Sequence, residues 1–315
     1  MTHSSFDAII VGGSYAGLSA AMSLGRALRR VLIIDSGLPC NRQTPHSHNF
    51  ITHDGEKPAA IAAKAREQVL QYQTVRLLND KASGAVKTET GFEVQTHGGE
   101  TFAARKLLFA TGLSDLMPEI EGFAECWGIS ILHCPYCHGY EYRSEKTGIL
   151  GNGEMMFDMV KLIFNWTSQL VLFTNGPSTL NPAQTEQMLR KGIRIVEKEI
   201  RAFAHEQGQI REVVFQDGSQ ENITALYARP TMRQHCELPA QLGCELTEQG
   251  LLKVDFQKTT VPGIYAAGDN SSPARSVAVS VAAGMFAGAM MNKELLEEDF
   301  VKTDADERHT QVVVG

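Results

Sequence analysis

No apolar run in the 315-residue sequence approaches the ~18 residues of a membrane span, so no membrane partner is expected. A Lys/Arg block is missing too. Arg29 and Arg30 are only a local pair in a chain of formal net charge -7. An acidic chain without a basic patch gives no electrostatic reason to bind nucleic acid. The opening MTHSSFDAIIVGGS lacks a basic n-region and a long apolar h-region. A secretory signal is therefore not expected, and a cytoplasmic location is. Cysteine is sparse: six residues, expected reduced in that compartment. Cys40, Cys126, Cys236 and Cys244 are scattered and read as small packed side chains. Hydrophobic residues make up 43%, ample for the cores of two ordinary domains.

The close cysteine pair lies in residues 133–141, HCPYCHGYE. C-x-x-C followed by His suits three chemistries: covalent haem, zinc, or a redox dithiol. Haem attachment normally needs export. Zinc would need ligands from His133 and His138, which directly neighbour the cysteines and so diverge from them. No second C-x-x-C or H-x-x-x-H completes a metal site. The nine residues alone do not decide the matter.

Residues 6–12, FDAIIVG, run apolar into Gly12-Gly13. Small and apolar residues at helical spacing follow over 16–29, and then VLIID at 31–35. This is strand, glycine turn, helix, strand: a βαβ unit of a parallel sheet. Within the turn, Gly12 permits the bend, and Gly17 permits close helix–strand packing. Ser14 stands where a dinucleotide motif prefers glycine. Ser14 is small and keeps its N–H, and the helix start supplies oriented amides for a phosphate. Asp35 ends the next strand, where an acid would bond the adenosine ribose.

Residues 74–111 contain short alternating runs broken by polar turns and predict an antiparallel meander. A second βαβ pattern follows: GILGNG at 148–153, a helix from Met155 to Trp166, then LVLFTNG at 170–176. A second meander is expected near 193–228. The stretch TTVPGIYAAGD, 259–269, returns to the first domain. The small-residue helix SVAVSVAAGMFAGAMM, 276–291, is suited to tight packing. From about Asp299 to Gly315 the chain is charged, then apolar, which suits either a tail or a partner-binding strand.

The order VGGSYAG, Asp35, ATG at 110–112, C-x-x-C, a second glycine turn and GIYAAGD resembles the low-molecular-weight thioredoxin reductase family of flavoproteins. The resemblance implies an α/β fold of two Rossmann-like three-layer domains, each with an antiparallel β-meander. The second domain, about 115–247, would be inserted in an FAD domain formed by 1–114 and 248–315. It also implies a homodimer, non-covalent FAD, and a thiol or disulfide substrate, either a thioredoxin-like protein or a small dithiol. Carried over, Gly12, Gly13, Ser14 and Gly17 would cradle the pyrophosphate. Asp35 and Ser36 would meet the ribose. Ala110, Thr111, Gly112, Gly268 and Asp269 would line the remaining cofactor path. Ser276 and Val277 would aim a helix start at the flavin, with His48 and Asn49 as flavin neighbours. Cys137 would face the flavin and Cys134 the substrate sulfur. Two intervening residues let both sulfurs meet at a helix start, which favours thiolate. Where the common pattern has an Asp proton donor after the second Cys, this sequence has His138, with Glu141 nearby.

The pattern departs at the second turn, Gly151-Asn152-Gly153-Glu154-Met155-Met156. Met156 replaces a small residue, Glu154 stands where phosphate would approach, and Thr174-Asn175-Gly176-Pro177 offers no cation. A 2′-phosphate would lose charge-assisted bonds there. NADPH use is therefore doubtful, and NADH lacks a ribose acid after the strand. The worn turn looks more like relatives that lack the NADPH signature, dithiol oxidases among them. Three functions follow: a thioredoxin reductase-like disulfide oxidoreductase, a dithiol oxidase using O2, and a flavin-bearing redox sensor without turnover.

Overall fold

A computed structural model describes the backbone of residues 5–313 and the side chains of residues 5–301. The chain opens with β1 (Ser5–Val11), α1 (Tyr15–Arg26) and β2 (Val31–Asp35). α2 (Pro58–Leu70) begins with proline, whose missing N–H costs nothing at a first helical position. It leads to β3 (Val75–Asn79) and then to a meander of β4 (Ala82–Thr88), β5 (Gly91–Thr96) and β6 (Thr101–Phe109). β7 (Leu113–Leu116) leads out.

The next stretch holds α3 (Phe123–Cys126), β8 (Ile131–Leu132), α4 (Pro135–His138), β9 (Thr147–Leu150), α5 (Glu154–Ile163) and β10 (Leu170–Phe173). After α6 (Pro182–Arg190) and β11 (Arg194–Val196) comes a second meander, β12 (Ile200–Glu206), β13 (Gln209–Phe215) and β14 (Gln220–Asn222), closed by β15 (Ala225–Ala228). β16 (Thr231–Gln234) leads back. α7 (Leu238–Gln241), β17 (Val254–Asp255), β18 (Lys258–Thr259), β19 (Ile264–Ala266) and α8 (Val277–Val313) complete the chain.

Two compact units result. One takes the chain up to Cys40, Ala59–Ser114, and from Arg233 on; the other takes Asn41–Pro58 and Asp115–Met232. The return falls at 232/233 rather than at 247/248 because Leu238, Cys244 and Leu252 share a core with Phe92, Leu107 and Ile264. Residues 41–58 cluster with the second unit.

In the first unit the strand order is β3-β2-β1-β6-β19, all parallel, with β18 and β17 added antiparallel beyond β19. In the second it is β11-β10-β9-β15-β8, also all parallel. Each sheet reverses its direction of growth beside its first βαβ strand, between β1 and β6 and between β9 and β15. That switch point is where open α/β sheets bind ligands.

The expected meanders are shorter than the sequence suggested. Residues 75–79 pair parallel with β2, and 194–196 pair parallel with β10. Both are sheet-edge strands with partly exposed faces, so their alternation imitates a meander strand.

Neighbouring residues of β1 point to opposite faces of the sheet. Ile9 joins Leu32, Leu107, Phe109 and the meander's Phe92 and Val94. Ile10 joins Ile33, Leu108, Leu18 and Leu24. α1 and α8 touch through small residues: a Cβ on Gly284 would lie 2.0 Å from the Ala16 carbonyl oxygen. Ser19 Oγ donates to the Val281 carbonyl at 2.7 Å. The backbone from Asp299 to Val313 continues α8 and forms no strand; residues 314–315 lie outside the described set. Among the described residues no helix is long and apolar enough to cross a membrane.

Candidate active site

The first glycine turn joins the C-terminal end of β1 to α1. Gly12 has φ 104°, and a Cβ there would lie 2.3 Å from the Ala110 carbonyl oxygen. A Cβ on Gly17 would lie 1.8 Å from the Gly12 carbonyl oxygen. Only glycine fits at either position. Gly13 N–H donates to Asp35 Oδ1 at 3.0 Å, so the acid at the end of β2 ties down the turn itself. Arg66 of α2 pairs with the other carboxylate oxygen at 3.1 Å, a partner that sequence reasoning missed. Ser14 precedes α1 without a side-chain cap bond, and Ser36 is exposed after β2.

Ala110, Thr111 and Gly112 follow β6 across the switch point. Ala110 N–H donates to the Val11 carbonyl at 2.8 Å, and Gly112 has φ 65°. Asn270 is fully buried beside them, with Nδ2 donating to the Phe109 carbonyl at 2.8 Å. Its Oδ1 and Gln234 Oε1 are buried acceptors without a hydrogen-bond partner. Gln234 Nε2 donates to the Asn270 backbone carbonyl at 2.9 Å, so the two residues are neighbours. An unpaired buried acceptor is costly and calls for a donor.

Gly268 approaches Ala16, with a Cβ position 3.1 Å from the alanine methyl. Asp269 pairs with Arg275 at 3.3 Å and accepts from Ser280 Oγ at 3.4 Å. Ser276 Oγ accepts from Val279 N–H at 3.2 Å and so caps α8 just before Val277. Cys40 is exposed, with Sγ 3.9 Å from Asp269 Oδ2; it is not the packed side chain expected. Cys126 and Cys244 are buried, and burial pushes the Cys126 thiol up to about 11.

The second unit carries the cysteine pair. Buried β8 ends at Leu132 and is followed by His133, whose ring lies against Trp127 at 5.9 Å. Cys134 then caps the single turn α4, which Pro135 begins. Cys134 and Cys137 form a disulfide with Cα atoms 5.3 Å apart, and Cys137 N–H donates to Cys134 Sγ at 3.2 Å. Gly139 ends the turn where a Cβ would strike the Pro135 carbonyl and the Trp166 ring. Tyr136, between the cysteines, is exposed and stands edge-on to Trp166 at 5.6 Å.

His138 follows the pair. Burial first, and then charge on His48, push its imidazole down to about 4. At neutral pH it is a neutral imidazole, able to accept a proton. The His48 ring meets it edge-on at 6.4 Å. His48 Nε2 lies 3.6 Å from Glu141 Oε1, and its Nδ1 lies 3.7 Å from Asp54 Oδ1. Asn49, at φ 59°, donates its N–H to Asp54 Oδ1 at 2.7 Å. Thus His48, Asn49, His138 and Glu141 share one unit. Asp54 is the member that sequence reasoning missed, because no motif links it to the cysteines.

The second glycine turn occupies the place of the first. Gly151, φ 140°, is the counterpart of Gly12, and the buried Met156 is that of Gly17. Met156 Cγ and Sδ lie 2.7 Å from where a Gly151 Cβ would be. Asn152 Oδ1 accepts from Gly153 N–H at 3.0 Å, Thr179 N–H at 2.8 Å and Thr179 Oγ1 at 3.0 Å. Its Nδ2 donates to the Pro177 carbonyl at 2.8 Å. The turn is therefore laced to the loop after β10 by its own side chain. Asn175 in that loop accepts from Ile200 N–H at 2.7 Å.

Comparison with known proteins gives a consistent result. The model of the pyridine nucleotide-disulphide oxidoreductase family matches residues 6–284. Thioredoxin reductase tcpT of Claviceps purpurea is 34% identical over 304 residues, covering 93% of this chain and 95% of its own. Thioredoxin reductase sirT of Leptosphaeria maculans is 32% identical over 312 residues, with coverage of 93% and 95%. The crystal structure of an oxidoreductase from Agrobacterium tumefaciens matches with a TM-score of 0.87 at 36% identity, covering 93% of this chain and 99% of that one.

Proposed function

The chain belongs to the pyridine nucleotide-disulphide oxidoreductase family, among thioredoxin reductase-like members, and from that premise we propose a flavin-dependent thiol–disulfide oxidoreductase. Electrons pass between non-covalent FAD, the Cys134–Cys137 pair and a thiol or disulfide substrate. The observation that carries this is the disulfide at the start of α4, followed directly by a neutral His138. The first unit suits a dinucleotide. Gly12 and Gly17 leave bare backbone at the switch point, and the orphaned acceptors of Asn270 and Gln234 await donors such as ligand hydroxyls. Gly12, Gly13, Ser14 and Gly17 would hold the pyrophosphate, and Asp35 with Ser36 the ribose. The 110–112 and 268–269 turns and the Ser276–Val277 helix start would hold the remainder. A bound flavin supplies two-electron exchange with the dithiol.

The chain's own part is thiol–disulfide exchange. A substrate thiol gives its proton to His138, and its thiolate attacks Cys134 Sγ. The bond to Cys137 breaks, and Cys137 leaves as thiolate. The substrate is a small dithiol or a thioredoxin-like protein, and the assembly is a homodimer. Anaerobic dithionite titration tests the reading: electron uptake must exceed the flavin's two, and Cys134→Ser must remove the excess. Uptake by the flavin alone would sink it.

The Asn152 lacing and Met156 favour a second reading, a dithiol oxidase that delivers electrons to O2 rather than drawing them from NADPH. Rapid flavin bleaching by NADPH, or no peroxide from dithiols, would exclude that direction.

A further inference from the structure

We propose that Arg66 is a positioning residue for the cofactor. Reaching from α2, it locks the Asp35 carboxylate against the first glycine turn, so that the acid is preset to take the hydroxyls of the adenosine ribose of FAD. The proposal rests on the flavin reading above.

Asp35 closes β2, which runs between β1 and β3 in the parallel sheet. Its side chain is only 12% exposed, and each carboxylate oxygen is held by a different element. Oδ1 accepts from Gly13 N–H at 3.0 Å, and Oδ2 accepts from Arg66 Nη2 at 3.1 Å. The close approach to the turn depends on glycine, since a Cβ on Gly13 would lie 2.8 Å from Asp35 Cβ. Arg66 comes from a helix seated on the same sheet. Val69, three residues on, is buried with Ile10, Ile33 and Val75, and Ala65 packs against that core. The arginine therefore leaves a fixed backbone, although its own side chain is 38% exposed.

The chemistry gives the arrangement its sense. A carboxylate offers about four lone-pair positions. The Gly13 amide and Arg66 take one on each oxygen, which leaves one on each for the two hydroxyls of a ribose. With the Gly13 bond alone, the carboxylate could turn about its Cβ–Cγ bond, a torsion with only broad preferences. The second bond removes that freedom before a ligand arrives, and such preorganisation raises affinity. The guanidinium also offsets the acid's charge. Asp35 stands beside the turn that would hold the pyrophosphate, and neighbouring like charges repel. Lysine would keep the charge but not the planar fork.

The test is the FAD dissociation constant of the full-length yellow protein, read from the free flavin that passes an ultrafilter on serial dilution. The parent is compared with Arg66→Gln, Arg66→Lys, Asp35→Asn and the double variant Asp35→Asn/Arg66→Gln. Arg66→Gln should weaken FAD about three- to tenfold, as expected of a charge-assisted bond partly screened by water. Arg66→Lys should keep part of the affinity. Asp35→Asn should weaken FAD at least as much as Arg66→Gln. Once the carboxylate is gone, Arg66→Gln should add nothing further, which is the signature of a residue that acts through Asp35. Arg66→Lys carries the same cycle should the glutamine variant not fold. A yellow parent whose FAD affinity is unmoved by Arg66→Gln overturns this proposal alone. So does a loss that is equal with and without the Asp35 carboxylate, which would mark a general effect on folding. A parent that carries no FAD when grown and purified with flavin supplied overturns the flavin reading and this proposal with it.

Discussion

At Gly12–Gly17 the chain turns from β1 into α1 with bare backbone, held by an acid from the next strand. At Gly151–Met156 it makes the same turn from β9 into α5, but Met156 lies on the glycine and Asn152 reaches across to Thr179 and Pro177. The folds are alike: parallel five-stranded sheets, a switch point, a meander. The difference lies in side chains. A methionine cannot stand where Gly17 stands, since even a Cβ there would lie 1.8 Å from a carbonyl oxygen. One unit keeps its cradle open. The other uses the same backbone for internal bonds, and its disulfide lies at α4 instead. Shared architecture fixes where a ligand could bind, and the turn's side chains decide whether one can.

The largest break in the comparison should come from Gly17→Ala. The added methyl has no room, and overpacking of this kind costs about 1–3 kcal/mol or more. The variant should purify without flavin, read as loss of absorbance near 450 nm against 280 nm, and melt at lower temperature. A yellow Gly17→Ala protein would refute the cradle.

The counterpart in the second unit is Met156→Ala. Met156 is buried in the core with Phe157, Val160 and Ile163. Deleting it should cost about 2–5 kcal/mol in denaturant unfolding. Flavin content should stay at the parent level, because that turn holds no flavin. Equal flavin loss from both variants would erase the distinction between the turns.

Much of this was legible in the sequence. FDAIIVG with VLIID, and GILGNG with LVLFTNG, announce parallel strands because both faces are buried and the apolar runs are continuous. The glycine spacing and Asp35 survive in the structure as contacts. The edge strands at 75–79 and 194–196 were not legible as parallel, since partial exposure gives them a meander's alternation. Cys134, Cys137 and His138 could be grouped from the sequence because they are near neighbours in it. Asp54, Arg66 and Arg275 were not, because each reaches its partner through tertiary folding or a loop with no motif. The Asn152 lacing was hidden for a different reason: an asparagine in a glycine turn looks like any turn residue until its partners, 25 and 27 residues on, are known.

A smaller effect separates the units by pH. In the first unit Lys106 of β6 is buried and pairs with Glu294 and Glu298 of α8. Burial alone would raise Glu294, but bonds from Lys106, Tyr265 and Lys258 override it and hold the carboxyl down to about 2. A depressed acid stabilises fully above its unfolded value, near 4.5, and that contribution is lost as pH falls toward 2. Glu294→Gln should therefore lower stability by about 1–3 kcal/mol at pH 7 and flatten the loss between pH 5 and 3. Thermal melts across that range check it; an unchanged acid slope would remove Glu294 from the account.

The smallest and sharpest test is Asn152→Ala. Its carboxamide oxygen serves three donors on an exposed loop, where water can replace part of what is lost, so the cost should be about 1 kcal/mol. The informative measurement is anaerobic flavin reduction by NADH and NADPH. If the lacing alone blocks a nucleotide, Asn152→Ala should bleach the flavin measurably faster than the parent. If Met156 blocks it as well, Asn152→Ala should stay as slow as the parent, and only Asn152→Ala with Met156→Ala should respond. NADH should then gain more than NADPH, because neither change supplies a cation for the 2′-phosphate. Should neither variant respond, the missing charges of the 174–177 turn, rather than the filled space, set the limit. The second turn would then differ from the first in electrostatics more than in shape.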